Sequence, residues 1–151
     1  MVNIQIAEQF DKEVDPGALE KAALMTLAEQ NPTEEINLSV VIEDDQQLHA
    51  LNLEFLGVDS PTDVLSFFED ELDPETGERY LGDVIISFPQ AQKQGSIAGH
   101  STGSELDLLV VHGVLHLIGY DHSTDEEKER MWEIQRKVLL KLGSDIKKFP
   151  D

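Results

Sequence analysis

Apolar and polar residues alternate in VNIQI near the start of the chain, the period of a half-buried strand. Asp15 then precedes Pro16, a capping residue before proline at a first helical position, and Leu19, Ala22, Ala23, Thr26 and Leu27 recur at helical spacing until Asn31 and Pro32. INLSVVI, from Ile36, is β-branched and apolar and predicts a second strand. Asp44 or Asp45 can cap the short helix after it, which carries Leu48, Leu51 and Phe55 and ends near Gly57. TDVLSFF from Thr62 and GDVIISF from Gly82 predict two more strands, joined through EDELDPETGERY as a long hairpin loop.

A short, weakly helical piece is expected after Pro89, and Thr102-Gly103-Ser104-Glu105 forms a capping box. From Leu106 to Ile118 nearly every position is apolar except Asp107, His112 and His116, so this helix should be covered on most sides, as a central core helix is. Gly119 can take the left-handed conformation that ends it. Ser123, Thr124, Glu126 and Glu127 offer two overlapping capping boxes for a last helix bearing Met131, Ile134, Val138 and Leu142, which Gly143 closes. The pattern thus predicts four strands and about five helices.

A length of 151 residues with 40% hydrophobic composition suits one domain, residues 1–151, with its own core. No apolar run reaches the roughly 18 residues of a bilayer span, and MVNIQIAEQF lacks the layout of a signal peptide, so a cytoplasmic location and no membrane partner are expected. Charge changes the picture more. The formal net charge of -20 opposes binding to phosphate backbones, yet residues 1–123 hold 24 acidic and 4 basic side chains whereas residues 124–151 hold 7 of each. Attraction for an anion is confined to the C-terminal end and to any bound cation.

With no cysteine, a metal must be held by histidine, carboxylate or backbone. HGVLHLIGYDH supplies three of the chain's five histidines. His112 and His116, four apart, share one helical face, and a turn at Gly119 lets His122 swing back beneath the helix. The spacing H-x3-H-x5-H suits zinc, Zn2+, with three protein ligands and an open fourth position, where bound water can reach a pKa of about 7. Nickel and copper would also accept such a set. Helix proteases of the H-E-x-x-H type place a glutamate after the first histidine, and Gly113 stands there instead. Asp121, Asp63, Asp83 and Glu105 are the candidate bases, with Asp121 also suited to orienting a ligand histidine or shaping the turn. His49 and His100 lack the spacing and are expected at the surface or in loops.

HGVLHLIGYDH, PTDVLSF from Pro61 and GDVIIS from Gly82 together resemble the YbeY endoribonuclease family, over residues from about Leu51 to Leu142. The resemblance implies a small α/β (α+β) fold with a mixed four-stranded sheet and a central helix carrying the metal ligands. It further implies one zinc on His112, His116 and His122, and a metal-dependent, single-strand-specific endoribonuclease. The implied role is maturation of the 16S rRNA 3′ end and ribosome quality control, with the small ribosomal subunit or its proteins as partners and no DNA substrate. The chain departs from the family at two positions: Asn52 and Phe55 match, but Leu56 and Val58 replace an arginine and a lysine. Lys93 or a basic residue of the last helix is the expected substitute, and a noncatalytic zinc-containing ribosome-associated factor is the rival reading. Among aromatics that could stack bases, Phe67, Phe68, Phe88 and Trp132 fall at core spacing, and Tyr120 sits in the turn beside the metal.

Overall fold

The computed structural model describes residues 1–30 and 35–146. Its sheet contains β1 (Val2–Ile6), β2 (Ile36–Glu43), β3 (Val64–Leu72) and β4 (Arg79–Ser87) in the order β1-β2-β4-β3. The β1/β2 and β2/β4 pairs are parallel and β3 runs antiparallel along β4, so the sheet is mixed, as the resemblance implied. Five α-helices accompany it among the described residues: α1 (Pro16–Ala28), α2 (Asp45–Leu56), α3 (Phe88–Ala98), α4 (Thr102–Leu117) and α5 (Asp125–Lys141). The protein is α/β.

Local chemistry sets most boundaries. Asp15 accepts a hydrogen bond from Gly17 N at 2.9 Å, Asp44 accepts one from Gln47 N at 2.8 Å, and Thr124 accepts one from Glu127 N at 3.2 Å, each stabilising an exposed helix start. Gly57, Gly119 and Gly143 follow helices with φ of 70°, 105° and 73°, which glycine adopts without a Cβ penalty. The stop expected at Asn31 and Pro32 lies outside the described residues; α1 ends at Ala28.

Two boundaries differ from the sequence reading. The cap of α4 is Ser101, whose Oγ accepts from Ser104 N at 3.1 Å, because the carboxylate of Glu105 is turned inward instead of back over the helix end. The β3/β4 connection is not a long loop: both strands run into the acidic stretch, leaving only Asp73 to Glu78 as the turn. Strand pairing needs backbone groups and one buried face, so solvent-facing carboxylates there do not end it.

The core lies between the sheet and α1, α4 and α5. Leu19, Ala22, Ala23, Thr26 and Leu27 are the buried face of α1, and α4 buries Leu106, Leu108, Leu109, Val110, Val111, Val114, Leu115 and Leu117. α4 packs on α1, α3, α5, β3 and β4 at once, which accounts for its near-continuous apolar run. Its approach to the sheet is closest at Gly113. A Cβ built there would stand 2.5 Å from Val84 Cγ1, and Ser66 Oγ of β3 donates to Gly113 O at 3.1 Å. The glycine after the first histidine is therefore a packing requirement, and no glutamate fits at that position.

Candidate metal centre

The C-terminal half of α4 and the turn after it bring His112, His116 and His122 together. One ligand nitrogen from each lies within 4.8 Å of the others, and the ring centroids are 4.6, 6.0 and 5.2 Å apart. The i, i+4 spacing aligns the first two. The third returns because Tyr120 N donates to Leu115 O at 2.9 Å, folding the chain back over the last turn of α4 through Gly119.

The donor set suits a borderline-soft cation. His112 Nε2 and His116 Nε2 are 3.1 Å apart, near the ~3.3 Å expected of two nitrogens bound tetrahedrally to one zinc at about 2.0–2.1 Å. His112 Nδ1 is 3.1 Å from Oε1 of the buried Gln135. An amide oxygen only accepts, so Nδ1 carries the proton and the Nε2 lone pair is left facing the other histidines. Burial holds His112 below the usual imidazole range, and the positive field of a protonated His116 would act in the same sense. Burial likewise lowers His116, with His122 adding to the effect. Both rings thus stay neutral at neutral pH, the state a metal ligand needs.

The histidines stand between two clefts. The first, about 770 Å³, contains His112 and His122 along with Asp63, Glu105, Lys128 and Trp132. The second, about 550 Å³, contains His116 with Phe68 and Arg79. Strand β3 runs beneath both: Val64 lines the first, Ser66 lies under Gly113, and Phe68 lines the second, alternate residues on one face of the strand.

The candidate bases separate by position. Asp63 and Glu105 reach the first cleft, and the charge of Asp63 favours protonated His112 across it. Glu105 is buried, which pushes its carboxyl up, and it pairs with His100 Nε2 at 2.6 Å. Asp121 is exposed; its Oδ1 accepts from His122 N at 2.7 Å and lies 3.9 Å from His122 Nδ1, so it shapes the turn beside the third histidine. Asp83 is not at the centre. Val84, its neighbour in β4, faces α4, so Asp83 points to the opposite side of the sheet, where Tyr80 hydroxyl donates to it.

Other expectations fare differently. His49 is at the surface, 2.7 Å from Asp59 Oδ1, but His100 is buried and forms part of the first cleft's wall, since Glu105 supplies the partner that an interior imidazole requires. Leu56 and Val58 are 60% and 46% exposed at the end of α2 and line neither cleft. Lys93 is exposed and lines neither, whereas Lys128 of the last helix does line the first. Tyr120 is engaged by Gln30, which donates to its hydroxyl at 2.8 Å; Phe88 is core, stacked on Phe10. Phe68, in contrast, is 61% exposed. Gln135 was missed by sequence reasoning, although a glutamine within the apolar stripe of Met131, Ile134 and Val138 was a visible signal.

Several known proteins are similar to this chain in sequence, and one solved structure is similar in fold. A family model described as Endoribonuclease YbeY matches residues 3–143. A protein named Endoribonuclease YbeY from Roseiflexus castenholzii is 40% identical over 144 residues, covering 93% of this chain and 91% of that one. A protein of the same name from Pelotomaculum thermopropionicum is 45% identical over 130 residues, 84% of this chain and 86% of that one. The solution structure of a Thermotoga maritima protein superposes with a TM-score of 0.62 at 28% identity, covering 94% of this chain and 89% of that one.

Proposed function

The chain belongs to the Endoribonuclease YbeY family, and on that premise we propose that its endonucleolytic cleavage of RNA is carried out at the centre formed by His112, His116 and His122. The observation that carries this reading is the convergence of three imidazole nitrogens within 4.8 Å, with the His112 tautomer set by Gln135. Neutral imidazoles and an open fourth position favour one zinc ion. A cation so held lowers the pKa of a coordinated water and polarises a phosphoryl oxygen.

The protein's own groups divide the remaining work. His112 and His116 are carried by α4, His112 being held further by Gln135, whereas His122 is carried by the turn that Asp121 stabilises. Asp63 is the base in this reading, supported by the cleft it shares with His112 and His122, and Asp121 has the supporting role of orienting His122 through the turn. Lys128 supplies positive charge beside the centre in place of the basic residues absent at Leu56 and Val58. The substrate is single-stranded RNA. In the cell the activity serves 16S rRNA 3′-end maturation and ribosome quality control, in the cytoplasm and in contact with the small ribosomal subunit, through a single domain spanning residues 1–151. No helix among the described residues is long and apolar enough to cross a membrane.

The test pairs metal analysis of the purified protein with cleavage of a single-stranded RNA. Stoichiometric zinc together with cleavage that His116→Ala and Asp63→Asn each abolish is the expected result. Zinc-loaded protein that leaves the RNA uncut, as His116→Ala does, would favour a noncatalytic, zinc-braced ribosome-associated factor.

A further inference from the structure

The two clefts flanking the histidines each present one aromatic side chain. Trp132 lines the first, half-buried, and Phe68 lines the second, 61% exposed. Lys128 Nζ lies 4.7 Å from the Trp132 ring centroid, the position a cation takes over a π face, and its flexible stem lets it leave that face for a nearby anion. The second cleft differs in charge. Its Arg79 is ion-paired with Asp70, so it offers an apolar and aromatic surface with no net attraction for phosphate. Val64, Ser66 and Phe68 project from one face of β3, so the span from the first cleft to Phe68 is about 13 Å at ~3.3 Å per residue.

We propose that the clefts are nucleotide subsites on either side of the phosphate presented to the histidines: Trp132 stacks a base in the first, Lys128 moves from the ring to the adjoining phosphate, and Phe68 stacks a base in the second. This rests on the endoribonuclease reading and deepens it. An aromatic face stacks any base, but only a base whose own face is free, so two such platforms select unpaired RNA without reading its sequence. They also let an acidic protein hold a polyanion with little positive charge. The Phe68 contribution should be insensitive to salt, and the Lys128 contribution should weaken as salt rises.

Trp132 is the only tryptophan, so its emission reports on the first subsite alone. The zinc-loaded full-length protein is titrated with a mixed-sequence 2′-O-methyl RNA decamer, checked intact afterwards, and with an abasic decamer of equal charge. Quenching by the first and not the second is expected. By anisotropy with a labelled decamer, Trp132→Ala and Phe68→Ala should each weaken binding roughly five- to a hundredfold, and Trp132→Phe should restore most of the loss. In cleavage assays the two alanine variants should raise KM more than they lower kcat.

Unchanged emission at saturation, or alanine variants binding within twofold of the parent while the parent still cuts RNA, would overturn the subsites and leave the nuclease reading standing. A parent that neither binds nor cuts RNA would overturn the nuclease reading, and the subsites with it.

Discussion

Replacing Gly113 by alanine tests the packing that places the histidines. The new Cβ would meet Val84 Cγ1 at 2.5 Å and Cγ2 at 3.1 Å, with Ser66 Oγ at 3.3 Å. Val84 cannot simply swing away: its χ1 is stiff and it is 0% exposed. Relief must come from lifting α4 off the sheet, at a cost of about 2–3 kcal/mol for overpacking. Alanine returns about 1 kcal/mol through its helix propensity. The net expectation is a loss of roughly 1–2 kcal/mol, or about 2–8 °C in Tm for a chain of this size. Because the lifted segment carries His112 and His116, zinc affinity should fall as well. Chemical denaturation of the metal-free protein measures the first effect, and competition against a chromophoric chelator measures the second. Val84→Ala in the Gly113→Ala background should recover at least about 1 kcal/mol relative to additivity, because it removes the clashing methyl groups. A Gly113→Ala protein as stable as the parent, with no coupling to Val84, would show that α4 does not press on β4 and that packing does not require a glycine at this position.

Gln135→Leu keeps the side chain's bulk but frees the His112 tautomer, and should weaken zinc binding about 10- to 100-fold with little change in fold, read by chelator competition. Removing zinc should abolish cleavage while lowering Tm only modestly, since the ligands sit on a helix already packed on the sheet; calorimetry with and without chelator checks this. Asp107 gives the pH dependence. Burial raises its carboxyl to about 6, partly offset by Lys21. Below its unfolded pKa of about 4 both states are protonated and nothing is lost; between about 4 and 6 the unfolded chain releases the proton that the folded protein still holds, so stability falls across that window and levels off above about 6, where both states are ionised. Asp107→Asn should therefore add up to about 2 kcal/mol at pH 7.5 after allowance for solvent screening, and little at pH 4. Equal effects at both pH values in urea unfolding would refute that account.

Periodicity and capping chemistry along the chain determine the strands, the helices and the buried face of α1, because these depend on neighbours within a few residues. The His112–His116–His122 set is equally local: a helix repeat and one glycine turn bring the nitrogens together. The family motifs at Pro61, Gly82 and His112 likewise needed only the sequence. What the sequence could not decide depends on residues far apart in the chain. His100 reads as a surface or loop histidine and Glu105 as a capping residue or candidate base until burial forces them together, 2.6 Å apart. Asp83 and Asp63 each precede a similar apolar run, yet the pleat turns Asp83 to the far side of the sheet while Asp63 opens into the cleft. Gln135, 23 residues beyond His112, meets it only because α5 packs on α4. Sequence alone singled out the three histidines that the fold brings together; tertiary packing decided what surrounds them, since burial, strand facing and helix docking are properties of neighbours in space and not of neighbours along the chain.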